Sequence, residues 1–78
     1  MYLAQKNTRP FWQDWLDQIF RSKSAATGGV VRRRLADVER EIGVGALELE
    51  VRRRGFHMVR SGEHLVVFCN SEPISIIC

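Results

Sequence analysis

Arginine accounts for ten of the twelve basic residues in this 78-residue chain, and six of these arginines stand in two triplets, Arg32–Arg34 and Arg52–Arg54. A planar guanidinium group binds phosphate oxygens in pairs, which suits arginine clusters to nucleic-acid backbones. The formal net charge is +3 and the pI is near 9.4, a mild basic excess that permits an anionic partner. Phosphate binding is therefore the chemistry that these residues suggest first.

Two histidines and two cysteines raise the question of a metal site. A zinc site needs closely spaced thiol and imidazole ligands, and the spacings of His57, His64, Cys69 and Cys78 match no such pattern. The alternation of side chains along a strand also puts both histidines on the face opposite Cys69. We expect no metal and no cofactor, and we expect both thiols to be reduced and buried.

The chain also lacks the usual patterns of catalysis. No nucleophile has a neighbouring base at a motif spacing, and no glycine-rich phosphate loop follows a strand. The carboxylates fall on the predicted surfaces of helices. The sequence therefore predicts a protein that is not an enzyme.

Two short amphipathic helices are predicted in the middle of the chain. Each carries one apolar stripe at helical spacing, and each stops at a glycine, Gly43 and Gly55, which tolerates the backbone that ends a helix. The first stripe is Leu35, Val38 and Ile42, and the second is Val44, Leu47 and Val51.

A further helix is predicted near the start of the sequence, from Pro10 to Ser22. Thr8 can cap its free amide groups, and proline is tolerated in its first turn. Residues 1–8 are predicted to be a loose lead-in, and residues 22–29 a linker of small residues. We expect the aromatic and aliphatic face of this helix to cover the other two, with Leu35, Val38, Ile42, Leu47 and Val51 buried against Trp15, Leu16 and Ile19.

Strand patterns occur on both sides of the helix pair. Val30 and Val31 predict a short strand that runs into the first triplet. Phe56–Arg60 and His64–Cys69 predict a hairpin around a two-residue loop at Ser61-Gly62, with Arg60 opposite Glu63. One hairpin face would be Phe56, Met58, Leu65, Val67 and Cys69, and the other His57, Val59, His64, Val66 and Phe68.

The last residues of the sequence complete the predicted single domain. Ile74–Cys78 predicts a further short strand after a turn at residues 70–73. The domain would then consist of the lead-in, a core over residues 9–70 and a terminal strand over residues 71–78.

The order helix, strand, helix, turn, helix, hairpin over residues 10–70 resembles that of winged helix-turn-helix transcription factors. The resemblance implies an α+β fold of three helices, a short strand and a hairpin, with Gly45–Arg53 as the helix that enters a DNA groove and Arg60–His64 as the wing. The runs GGVVRRRLADVEREIG, EVRRRGFH and VVFCN also resemble those of a group of small uncharacterised bacterial proteins. That second resemblance implies no established activity.

The first functional hypothesis is a DNA-binding winged-helix protein, in the role of a small transcriptional regulator, that contacts duplex phosphates through its arginines. Glu48 and Glu50 depart from this pattern because they would repel phosphate, and the presumed groove helix has few side chains that read bases. The arginines also have a purely structural interpretation. Cations at the end of a helix, such as Arg52–Arg54, complement its dipole, and Arg32–Arg34 could pair with Asp37, Glu39 or Glu41. The residues assigned to DNA are Arg32, Arg33, Arg34, Arg52, Arg53 and Arg60.

The second hypothesis is a protein-interaction module without catalysis, which binds a protein partner or a second copy of itself through Leu49 and Phe68. Leu49 is predicted to face outward, where an apolar side chain is better explained by protein than by DNA. A continuous basic face that joins both triplets would favour DNA, and acids that interrupt it would favour a protein partner.

The start of the sequence lacks the apolar core and cleavage site of a secretory signal, and no run approaches the roughly 20 apolar residues of a membrane span. We therefore expect a cytoplasmic protein with no membrane partner.

Overall fold

The structure is a computed structural model that describes residues 11–78, so the predicted lead-in and the helix start at Thr8 to Pro10 lie outside the described residues. Within that part of the chain, four helices and one three-stranded antiparallel sheet form an α+β fold, as predicted. No helix over these residues is both long and apolar enough to cross a membrane. In chain order the elements are α1 (Phe11–Phe20), α2 (Lys23–Ala26), β1 (Val30–Arg34), α3 (Leu35–Glu41), α4 (Val44–Arg53), β2 (His57–Ser61) and β3 (His64–Phe68).

The apolar stripes of α1, α3 and α4 meet on one face of the sheet. Val38 and Leu47 are fully buried, and Leu16 and Ile19 of α1 are nearly so. Leu35, Ile42 and Trp15 are partly buried and pack against this core. The predicted burial is therefore confirmed for Val38, Leu47 and Val51 together with Leu16 and Ile19, whereas Leu35 and Ile42 were predicted to be buried and are only partly so. The buried apolar residues are Leu16, Ile19, Val31, Val38, Leu47, Val51, Leu65, Val67 and Cys69.

The predicted linker at residues 22–29 contains a helix, α2, and α1 ends at Phe20 rather than at Ser22. Ser22 explains the difference, since its hydroxyl oxygen accepts a hydrogen bond from the Ala25 amide at 3.3 Å and so caps a new helix. The same hydroxyl donates to the Ile19 carbonyl at 2.8 Å. One serine therefore joins the end of α1 to the start of α2.

Strand β1 is longer than predicted and includes the whole first arginine triplet. It lies beside β3 at one edge of the sheet, in the order β1-β3-β2, with Val31 opposite Val67. Helix α3 begins directly after Arg34, whose side chain makes no capping hydrogen bond. The Leu35 amide donates to the Glu63 carbonyl at 2.7 Å and fixes this junction to the hairpin turn.

The hairpin register differs from the predicted one. Ser61 lies opposite His64 and Arg60 opposite Leu65, so the turn residues are Gly62 and Glu63. Gly62 has a positive φ of 61°, and the first turn position is where hairpin turns of type II′ place glycine. The expected Arg60–Glu63 cross-strand pair is therefore wrong, and the Arg60 Nε donates instead to the Gly62 carbonyl at 3.0 Å.

The register differs by two residues, so every side chain of the hairpin stays on its predicted face. Leu65, Val67 and Cys69 are buried on the helix side, while Val59 is exposed on the other. In a sheet with alternating side chains, only a slip by an odd number of residues would have exchanged the faces.

The predicted last strand is wrong, because residues 71–78 form no helix or strand and are exposed. The Glu72 amide donates to Asn70 Oδ1 at 3.0 Å, and Asn70 Nδ2 donates to the Gly28 carbonyl at 2.9 Å. These bonds satisfy the turn locally, and Pro73 lacks an amide hydrogen for strand pairing. Cys78 is exposed, so its predicted burial is also wrong.

Candidate nucleic-acid interface

The second arginine triplet, at the end of α4, is paired with acids of the same helix. Arg52 Nη2 lies 2.8 Å from an oxygen of Glu48. One oxygen of Glu50 receives both Arg53 Nη2 at 2.7 Å and Arg54 Nε at 2.6 Å. Spacings of three and four residues place these groups on one side of a helix turn. All three guanidinium groups are therefore committed within the helix.

Glu50 is a structural residue that the sequence placed on the flank of α4. It is 8% exposed and is the buried charged residue of the described chain. Burial alone raises the pKa of its carboxyl group, but hydrogen bonds from Arg53 and Arg54 outweigh that effect and hold the pKa below its usual value. Arg54 in turn lies over the Phe20 ring, 4.2 Å from its centroid, and so connects α4 to α1.

The first triplet, on β1, is in the opposite situation. Among residues 11–78, no carboxylate lies within 4 Å of a basic nitrogen of Arg32, Arg33 or Arg34. The hydrogen bond from Arg33 Nη1 to the Arg32 carbonyl at 2.9 Å leaves the guanidinium charge uncompensated. The structural interpretation of this triplet as a partner of nearby acids is therefore wrong.

Two of the three acids proposed for that pairing, Asp37 and Glu41, have another partner. Arg40 lies 3.0 Å from Asp37 Oδ1 and 3.2 Å from Glu41 Oε2 on the surface of α3. These hydrogen bonds raise the pKa of Arg40, first through Glu41 and then through Asp37. Helix α3 thus pairs Asp37 and Glu41 with its own Arg40, and in the described chain neither these acids nor Glu39 forms an ion pair with the β1 arginines.

Arginines from two strands converge at the hairpin end of the sheet. Arg33 on β1 and Arg60 on β2 both lie opposite Leu65 of the central strand, so they share the helix side of the sheet. Arg34 lies opposite His64 and belongs to the other side. We call Arg33, Arg34 and Arg60 the hairpin-end cluster; in the described chain no acid pairs with any of them.

The surface between this cluster and α4 is mixed in charge. A groove between the helix pair and β2 is lined by Glu39 and Glu48 as well as by Arg52 and Arg60. Both acids are exposed, so they interrupt the basic face that would have joined the two triplets. A groove helix that reads bases is not supported by this geometry, whereas separate phosphate contacts at the hairpin end remain available.

A second groove, which we call the apolar groove, lies between α1, α3 and α4 and is lined by apolar side chains with charged residues of α3 and α4 beside them. Leu49 is 70% exposed there and Trp12 is 45% exposed, with Ile42 and Ala46 beside them. The sequence pointed to Leu49 but assigned Trp12 to the core, because the spacing of α1 does not show how far its stripe extends beyond the other helices. Phe68, the other predicted interaction residue, is half-buried on the sheet face away from the helices.

The histidine and cysteine side chains do not lie together at one site. His57 lies opposite Phe68 on the outer side of the sheet, while Cys69 is buried in the core, where burial raises the pKa of its thiol. Among the described residues, no three His, Cys, Asp or Glu side chains are placed to hold a metal ion. His57 Nε2 is buried without a hydrogen-bond partner, a feature for which the sequence offered no indication.

Comparisons with protein-family models, with curated proteins and with solved structures gave no significant match.

Proposed function

We propose that this protein is a non-catalytic nucleic-acid-binding module of winged-helix arrangement that contacts the phosphates of double-stranded DNA through its hairpin-end cluster. The support for the arrangement is the element order, with β1 between the first helices and the α3–α4 pair, and with the hairpin strands β2 and β3 last. The contact between α4 and β2, with β3 between β1 and β2, supports the comparison of this hairpin with a wing.

The observation that carries the proposal is the absence of acidic partners around the cluster within residues 11–78. A guanidinium that is already paired with a carboxylate has its charge largely compensated and fewer free N–H groups to offer a phosphate, unlike Arg33, Arg34 and Arg60. Three such contacts with few base-reading side chains imply weak, sequence-independent binding. Arg52 and Arg53, assigned to DNA from the sequence, take a structural role in this proposal.

Titration of a labelled random duplex over a range of salt concentrations tests the proposal. Each phosphate contact contributes about −0.9 to the slope of log affinity against log salt. Arg33→Gln with Arg60→Gln should therefore reduce the slope by about two units. Arg53→Gln is the matched control and should change the slope by far less, because Glu50 already occupies that guanidinium.

Two outcomes would contradict the proposal. One is an equal loss of slope in the double variant and the control. The other is no binding of duplex at about 100 μM protein, the weak end of ordinary non-specific affinity.

We propose self-association through the apolar groove as the second candidate function, favoured by the exposure of Leu49 and Trp12. Exposed apolar side chains of this size on a helix surface are typical of protein contacts. Sedimentation of the wild-type chain should then show a dimer that dissociates in Leu49→Ser. Glu48→Gln, on the same exposed helix surface, should leave it intact, and a monomeric wild-type chain would remove this candidate.

A further inference from the structure

The sheet has a face that the helices do not cover. Strand alternation gives β1, β3 and β2 three side chains each on this side, and Val31, Leu65 and Val67 point to the core on the other. We call it the open face. Its residues are Val30, Arg32, Arg34, His64, Val66, Phe68, His57, Val59 and Ser61.

Apolar and aromatic groups are accessible on the open face. Val30 is 47% exposed and Val59 37% exposed, one on each edge strand. Between them, Phe68 and Val66 of the central strand are half-buried and are not part of the core cluster. Phe68 lies opposite both Val30 and His57, so an aromatic ring stands in the middle of a row across the sheet.

The charge of this face has one sign. None of its nine residues is acidic, and neither Arg32 nor Arg34 has a carboxylate partner in the described chain. The two arginines are two residues apart along β1, or about 7 Å. An occupant must therefore offer flat apolar groups to the centre of the sheet and negative charges to its β1 edge.

We infer that the open face binds single-stranded nucleic acid, with a base stacked on Phe68 and successive phosphates on Arg32 and Arg34. Unpaired bases stack on aromatic side chains, while basic side chains follow the backbone. A duplex does not fit these requirements, because its bases are stacked inside and only their edges are accessible. A second copy docked face to face in a symmetric pair would bring four arginines together, which like-charge repulsion disfavours.

This inference goes beyond the proposed function and uses a surface that shares only Arg34 with the hairpin-end cluster. Arg33 and Arg60 contact duplex phosphates from the helix side of the sheet, whereas Arg32 and Phe68 lie on the open face. Arg34 is common to both surfaces and is left unchanged in the test. Each proposal can therefore fail without the other.

The experiment is a fluorescence-anisotropy titration of labelled oligouridylate and oligothymidylate of about ten nucleotides, within the site size of a single small domain. A mixed-sequence duplex is titrated beside them at the same salt concentration. Phe68→Leu keeps an apolar side chain but removes the ring, and Arg32→Gln removes one charge. Arg33→Gln, the next residue on the same strand with its side chain on the other face, is the matched control.

We expect Phe68→Leu to weaken single-strand binding at least about fivefold, the lower end for one stacked base. Arg32→Gln should weaken it and reduce its salt slope by about 0.7, the value for one phosphate of a single strand. Arg33→Gln should leave single-strand binding unchanged and weaken duplex binding. Equal affinity for the two oligonucleotides would show that the site accepts both sugars, and tighter binding of oligouridylate would show contacts to the 2′-hydroxyl.

Four results would overturn the inference: single-strand affinity unchanged in both Phe68→Leu and Arg32→Gln, an equal loss in Arg33→Gln, no single-strand binding at about 100 μM, or a dimer that dissociates in Phe68→Leu. The last result would assign the face to a second copy of the chain. Because Arg32 is an exposed surface residue, its variant keeps the test valid if Phe68→Leu does not fold.

Discussion

The two arginine triplets have the same composition, but in the described chain the guanidinium groups of one triplet are paired with carboxylates and those of the other are not. Arg52–Arg54 end a helix, and the three- and four-residue spacing of a helix brings Glu48 and Glu50 to them. Arg32–Arg34 form part of a strand, where successive side chains point to opposite faces and the residues opposite them are Val66, Leu65 and His64. The secondary structure that contains an arginine run thus decides whether its charge is free for a ligand.

This difference predicts that one triplet contributes to the stability of the fold and the other to ligand binding. The α4 triplet pairs with a buried carboxylate, and its last arginine lies over the Phe20 ring. Loss of this triplet should therefore lower the free energy of unfolding. The β1 triplet makes no such contact in the described chain, so its loss should lower the affinity for nucleic acid and leave the free energy of unfolding nearly unchanged. The predictions below test this division, from the largest effect on the free energy of unfolding to the smallest.

Leu47→Ala should cost about 2 to 5 kcal/mol of the free energy of unfolding, as truncations of fully buried leucines do. Leu47 anchors the register of α4 that turns its arginines outward toward their acids. Urea denaturation measures the loss. Leu49→Ala, on the exposed side of the same helix, is the control and should cost less than about 0.5 kcal/mol. A loss below that value for Leu47→Ala would show that this register is wrong.

Glu50→Ala should cost about 1.5 to 3 kcal/mol of the free energy of unfolding, the range for hydrogen bonds to a charged group. The change leaves Arg54 beside Phe20 without its carboxylate, and the Arg54 side chain is only 33% exposed. Glu48→Ala breaks a pair whose members are both well exposed and should cost less than about 0.5 kcal/mol. Equal losses in the two variants would contradict the structural role of Glu50.

The contribution of Glu50 to the free energy of unfolding should also depend on pH. Its pKa is lowered in the folded chain, because hydrogen bonds from Arg53 and Arg54 outweigh the effect of burial. The stabilisation is therefore present above the unfolded pKa of about 4.3 and is lost as the pH falls through the lower folded value. Urea denaturation from neutral to acidic pH should show the wild-type chain approaching Glu50→Gln below about pH 4. A difference that stays constant over this range would exclude this ionisation as its cause.

The helices and the core could be predicted because their signals are local. The stripes of α3 and α4 and the stops at Gly43 and Gly55 are periodic features of sequence, and the buried residues follow from them. Helix α2 was missed because a four-residue helix has no stripe, although Ser22 was a visible capping residue. The hairpin turn was misplaced by one residue because Ser61-Gly62 and Gly62-Glu63 both contain the glycine that such a turn requires.

The candidate site was less predictable because pairing is a property of three-dimensional neighbours. The spacing of Glu48 and Glu50 to Arg52–Arg54 could have revealed the ion pairs, but both acids were interpreted only as repelling phosphate. The three-residue spacing of Asp37 and Arg40 likewise allowed their pairing on α3, but it did not by itself exclude a pair between Asp37 and β1. The open face required the sheet order, since Arg32 and Phe68 are 36 residues apart in the sequence and meet only through β1 and β3.

The smallest predicted changes in the free energy of unfolding come from replacing single exposed arginines, and they differ in sign between the two triplets. Arg52→Ala removes an exposed pair and should lower the free energy of unfolding by less than about 0.5 kcal/mol. Arg33→Ala removes a charge that has like-charged neighbours and no acid partner in the described residues, so it should leave stability unchanged or raise it slightly. Both effects are electrostatic. In urea denaturation they should be largest at about 0.01 M salt and vanish near 1 M, where charges are screened within a few ångströms. A loss in Arg33→Ala that persists at high salt would mean that the β1 triplet supports the fold, and the contrast between the triplets would then fail.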